Sequence, residues 1–208
     1  MTLYLKGALS QKYKKEIERK FNFLLNFFNF KKPGDIFVEI LPLKNFDKKY
    51  ELEKGKKPDF FVVGFASNNG RVFILDKNDF EKKNHKKEEF EGVILHELSH
   101  IFIRRILWPK KTYMWIEEGL CQYLSFKKNK FKVKKFVSFK KLESKEDWNR
   151  NPSYQQSAKF FEFLNKKFGK ERIVLFIKNI KKLGEINAFK KVFNKTIKEI
   201  EKEFYEKI

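Results

Sequence analysis

A chain of 208 residues that is 41% hydrophobic and 17% aromatic can bury a sizeable core, and a single folded domain spanning residues 1–208 is expected. One cysteine, Cys121, excludes an intrachain disulfide, and the longest greasy stretch, Phe21 to Phe30, is interrupted by Asn22, Asn26 and Asn29, far short of the roughly 20 apolar residues that span a bilayer. The formal net charge of +21 raises nucleic acid or an anionic membrane as a partner, yet only six of the 48 basic residues are arginine, the type suited to planar phosphate recognition. The lysines scatter over nearly every predicted solvent face, so the expectation is a soluble, cytoplasmic protein with a solvated lysine surface and no specific nucleic-acid site.

In chain order, Thr2 to Leu5 reads as a short strand. A helix follows from about Ser10 to Asn29, where Tyr13, Ile17, Phe21, Leu24 and Phe28 recur at helical spacing until Pro33-Gly34 stops the pattern. Asp35 to Leu43 alternates like a strand, with Ile36, Val38 and Ile40 on one side. Lys44 to Pro58 is polar, lysine-rich and punctuated by Gly55 and Pro58, which predicts an irregular connection. Phe60 to Ala66 and Arg71 to Asp76 are β-rich runs joined by Ser67-Asn68-Asn69-Gly70, and the Asn-Gly pair supplies the positive φ values of a tight hairpin.

Phe80 to Lys87 is a charged loop, and Glu88 to Leu107 is a helix with Phe90, Val93, Ile94, Leu98, Ile101 and Phe102 as core candidates, ended by Pro109. A second helix runs from about Met114 to Phe126. Phe131 to Leu142 is lysine-rich and alternating, a short exposed strand or a loop. The remainder is helical, over Pro152 to Phe168 with Gly169 as C-terminal cap, then Lys170 to Lys182, Ile186 to Phe193 and Thr196 to Lys207.

The long central helix carries His96-Glu97-Leu98-Ser99-His100. Histidines four apart on a helix project from one face in successive turns, so both imidazoles can reach one cation, with Glu97 close to that face. This HExxH pattern points to zinc, and two imidazoles leave a catalytic zinc short of its usual three protein ligands. Trp115-Ile116-Glu117-Glu118-Gly119-Leu120 offers two carboxylates nearby, but adjacent helical residues point about 100° apart, so only one of Glu117 and Glu118 can face the metal. Arg104, one turn after His100, is a candidate partner for a carboxylate or for substrate. His85, among lysines, reads as solvated, Trp115 as core, and Cys121 as a small residue that lets two helices pack closely.

Mixed strands, then His-Glu-Leu-Ser-His, then Trp-x-Glu-Glu-Gly-Leu, then Tyr154-x-x-Ser157 opening an aromatic helix that ends in Phe-Gly-Lys-Glu, together resemble the gluzincin metallopeptidases of the peptidase MA-like type. The resemblance covers roughly Asp35 to the C-terminus. It implies an α+β, zincin-like fold: a small mixed β-sheet packed on the HExxH helix, with residues 1–86 rich in sheet, residues 87–127 forming the zinc-binding helices and residues 150–208 forming a helical C-terminal region. It further implies that His96, His100 and Glu118 bind Zn2+, that Glu97 is the general base for a zinc-activated water attacking a peptide carbonyl, and that Tyr154 is a second donor to the oxyanion. Seventeen residues lie between His100 and Glu118, one fewer than in the related aminopeptidases, so the intervening loop must differ. A Gly-x-Met-Glu-Asn-like segment, by which those relatives hold a free amino terminus, is missing, which tilts the expectation toward an endopeptidase.

The strand Gly64-Phe65-Ala66 invites two readings, an edge on which an extended peptide pairs, or a close packing contact marked by the glycine. Two functional alternatives stay open: a DNA-associated metalloprotease tethered by its basic surface, and a noncatalytic module in which zinc only holds two helices together.

Overall fold

The computed structural model describes residues 2–31, 34–125, 133, 136–142, 148 and 152–207. It is an α+β structure with two compact units, residues 1–102 and 103–208.

The first unit is built on a four-stranded sheet of order β1-β2-β4-β3, comprising β1 (Leu3–Lys6), β2 (Ile36–Leu41), β3 (Gly64–Ala66) and β4 (Arg71–Leu75). β1 and β4 flank β2 in parallel, with Leu5 opposite Val38 and Val38 opposite Val72, while β3 runs antiparallel to β4 at the sheet edge. Alternation in Ile-Phe-Val-Glu-Ile-Leu buries Ile36, Val38 and Ile40 on one face of β2, whereas β4 is buried from Val72 to Leu75, as a strand covered on both faces must be. The expected hairpin is present but short: Phe60 and Phe61 are exposed in a turn, and pairing begins only at Val63, whose carbonyl accepts from Leu75 N.

The helix expected over residues 10–29 is two helices, α1 (Gly7–Lys12) and α2 (Lys14–Phe28), broken at Tyr13. Tertiary contacts explain the break: the Tyr13 ring packs on Phe90 and its hydroxyl donates to Asp76, which turns that residue away from the helical path. The α2 stripe of Ile17, Phe21, Leu24 and Phe28 is buried, with Phe21 and Phe28 against Phe102. Pro33 lies outside the described residues, and the helix ends on Asn29 in the left-handed region.

The irregular connection expected over 44–58 is in fact mostly a helix, α3 (Leu43–Lys54). Pro42 sits at its N-cap and Gly55, at φ 70°, closes it, so one of the two residues taken as loop punctuation is the helix's C-terminal cap, and Pro58 lies beyond it. Only Phe46 is buried along it, and Phe46 and Tyr50 clasp the Phe65 ring of β3. The charged loop over 80–87 likewise contains short 3-10 turns, Lys77–Lys83 and Lys87–Glu89, with Phe80 buried. The predicted long helix is α4 (Phe90–Leu107).

In the second unit, α5 (Met114–Ser125), α6 (Ser153–Phe168), α7 (Lys170–Leu183), α8 (Glu185–Phe193) and α9 (Ile197–Tyr205) follow the predicted helical series. An aromatic core joins them: Trp115 stacks on Phe139 and meets Phe160, which in turn contacts Phe189 and Phe204. Within the stretch expected as an exposed strand or loop, Phe139–Leu142 forms a 3-10 turn with Phe139 and Leu142 buried; residues 131–132 and 134–135, like Phe126, lie outside the described residues. Gln156 is fully buried and fixes this stretch by bonding both the N–H and the carbonyl of Val137. A capping box between Thr196 and Glu199 opens α9. No helix among the described residues is long and apolar enough to cross a membrane.

Candidate metal centre

α4 is apolar almost all round, with Val93, Ile94, Leu95, Leu98, Ile101, Phe102 and Ile103 buried, as a helix covered on most of its faces must be. Ser99, fully buried, satisfies its hydroxyl on the carbonyl of Leu95 at 2.6 Å. That leaves His96, Glu97 and His100 as the polar groups of the motif.

His100 is buried and His96 partly exposed; their rings are 4.9 Å apart at 76°, and their Nε2 atoms stand 3.2 Å from each other. Two nitrogens at the usual Zn–N distance of about 2.0–2.1 Å and a tetrahedral angle stand about 3.3–3.4 Å apart, so the pair fits such an ion without rearrangement. Glu118 offers a carboxylate to the same group. One ligand atom from each of His96, His100 and Glu118 lies within 4.8 Å of the others, and no other group of three or more His, Cys, Asp or Glu side chains among the described residues is so gathered. Two imidazoles and one carboxylate are the donor set of catalytic zinc sites that keep a position open.

Glu97 is 9% exposed and lies beneath the edge strand: a Cβ built on Gly64 would stand 3.0 Å from its Cγ and 3.3 Å from its Oε1. The glycine therefore marks a close packing contact. The competing carboxylate, Glu117, is engaged elsewhere, accepting from Arg104 Nε at 2.7 Å. This pair gives Arg104 the carboxylate partner that its position one turn after His100 suggested.

Residues 71–204 match the family described as "Peptidase of plants and bacteria" (BSP). The chain belongs to this family. Curated proteins and solved structures yield no match to it. The match begins at the first residue of β4 and ends inside α9, so the whole of α4, α5 and α6 falls within the family's common region, and Gly64 falls before it. A BSP peptidase acts on peptides or proteins.

The remaining expected site residues of the peptidase sit as follows. Tyr154 is the second residue of α6, 38% exposed, its ring edge-on to Trp148 at 5.0 Å. Cys121 is fully buried in α5. His85 is not simply solvated: Nδ1 meets Glu89 at 2.7 Å and Nε2 meets the Phe61 carbonyl at 2.8 Å, tying the segment before β3 to the turn before α4. The contact that sequence reasoning did not single out is between Gly119 and Ser157, where a Cβ on Gly119 would come 2.5 Å from Ser157 Cβ. The paired small residues, one in each motif, were the available signal.

Proposed function

We propose that this BSP peptidase is a zinc-dependent hydrolase of the gluzincin type, in which His96, His100 and Glu118 would hold the ion and Glu97 is the general base. The observation that carries the reading is the gathering of those three donors around one point, in a peptidase, with a buried carboxylate one residue from the first histidine. Zinc bound there would supply Lewis acidity, lowering the pKa of a water molecule to about 7 and polarising a carbonyl oxygen.

The chain's own groups do the rest. Glu97 takes the proton of the attacking water and returns it to the leaving amine, and its burial keeps the carboxylate from being shielded by bulk solvent while it does so. Tyr154, with its exposed ring anchored on Trp148, is the proposed donor to the developing oxyanion. Arg104, by occupying Glu117, leaves Glu118 as the carboxylate of the pair for the metal.

Glu97→Gln is the decisive variant. It should retain one zinc per chain by metal analysis while peptide hydrolysis falls by about 10²- to 10⁴-fold, the usual contribution of a general base. Wild-type turnover in Glu97→Gln, or wild-type protein that takes up no zinc, would overturn the reading. A peptide-library digest on the same samples reports whether cuts are internal or terminal.

A further inference from the structure

Gly64 is a glycine whose backbone does not need one. The glycines in the left-handed region are Gly7, Gly34, Gly55, Gly70, Gly169 and Gly184; Gly64 is in the strand β3, paired with Ile74, where a β-branched residue would be more stable. What it lacks is space: a Cβ there would stand 2.7 Å from Val93 Cγ1 and 3.0 Å from Glu97 Cγ. Val93 and Glu97 are four apart on α4, so β3 rests directly on the helix face that carries the motif glutamate.

We infer that Gly64 is a positioning residue for Glu97: the absent side chain lets the β3 backbone press on the glutamate's methylene and carboxylate, and this contact sets where the base stands. The inference rests on Glu97 being the base. Any side chain at 64 must displace the glutamate, Val93 or the strand, and a misplacement of about 1 Å in catalytic geometry costs on the order of 10²-fold in rate.

Two different contacts make the idea testable, because Val93→Ala removes the tighter one and leaves the other. Four full-length variants are compared with wild type: Glu97→Gln, Val93→Ala, Gly64→Ala and the double variant Gly64→Ala with Val93→Ala. Each is measured for melting temperature, bound zinc, kcat per zinc-loaded molecule and KM on one peptide. Gly64→Ala should lower both melting temperature and kcat. The double variant should regain the melting temperature of Val93→Ala, with zinc still bound and KM within about twofold, yet its kcat should remain about 10- to 100-fold below that of Val93→Ala. Recovery of kcat to the Val93→Ala level would overturn the inference, because Gly64 would then matter only for packing on Val93. If the double variant does not fold, Gly64→Ala decides the question on its own zinc-loaded fraction, assayed below its melting temperature: unchanged kcat overturns the inference and a lowered kcat at constant KM supports it. Full activity in Glu97→Gln would instead sink the underlying base assignment, so the two failures are distinguishable.

Discussion

Glu201 shows how a single buried charge organises the C-terminal unit. At 6% exposure it accepts from Phe139 N at 2.6 Å, from Ser138 Oγ at 3.2 Å and from Tyr205 Oη at 3.3 Å, so it is a hydrogen-bonded anchor for the turn that ends with Leu142. Tyr205 also donates toward the Val137 carbonyl. Burial first, and then the neighbouring Glu201 carboxylate, push the Tyr205 phenol well above its ordinary value near 10. A phenol whose folded pKa is raised contributes stability that is fully present below the unfolded value and lost as pH climbs toward the folded one. Unfolding free energy should therefore decline as pH rises past about 10, and Tyr205→Phe, though weaker at neutral pH by about 1 kcal/mol for its lost hydrogen bonds, should flatten that decline. Urea titrations at pH 8, 9, 10 and 11 check this; an equally steep decline in Tyr205→Phe would rule Tyr205 out as its source.

Among the elements, the seam between α5 and α6 bears most directly on the site. Gly119 sits against Ser157 and Phe161, closely enough that a Cβ would come 3.1 Å from the Ser157 backbone as well as 2.5 Å from its side chain. Gly119→Ala should force the helices apart and cost about 1–3 kcal/mol, and because Glu118 precedes it, affinity for the proposed zinc should fall alongside. Adding Ser157→Gly removes the nearer obstacle but not the backbone one, so only a fraction of the loss should return. Calorimetry with a competitive zinc titration measures both; an undiminished melting temperature in Gly119→Ala would show that the seam yields freely. α4 and α6 were legible because their apolar repeats are long and they are followed by Pro109 and Gly169. α3 was not, because a helix that buries only Phe46 has almost no periodic signal, and its caps resemble loop punctuation. Tyr13 hid the break between α1 and α2, since its apolar ring fits the helical stripe while its contacts to Phe90 and Asp76 are tertiary. At the site, the two histidines could be paired by i, i+4 spacing alone. Choosing Glu118 over Glu117 needed a family likeness, because no helical repeat spans the loop after Pro109, and the engagement of Glu117 by Arg104 is visible only in three dimensions.

For the molecule as a whole, the excess positive charge is unevenly shared. Residues 1–102 hold 20 basic and 15 acidic side chains and residues 103–208 hold 28 and 12, a net of +5 against +16. In the first unit carboxylates pair off many of the cations, with Glu91 taking both Arg19 and Lys20, and Asp47 taking the buried Lys83. The second unit has pairs too, Glu203 with Lys167 and Lys195 among them, but its lysines far outnumber its carboxylates. Exposed pairs contribute little each, typically below about 1 kcal/mol, whereas like-charge repulsion accumulates over every cation within a Debye length. That length shrinks from about 30 Å at 0.01 M salt to about 8 Å at 0.15 M, so screening should remove more repulsion than attraction. The melting temperature should consequently rise by a few degrees, about 2–4 °C per kcal/mol relieved, as NaCl goes from about 0.01 to 0.15 M. Replacing the exposed Lys182, Lys190 and Lys191 by glutamine should raise the low-salt melting temperature and shrink the salt-induced gain. A melting temperature that falls with salt would mean that the ion pairs, and not the surplus lysines, dominate the electrostatics of the fold.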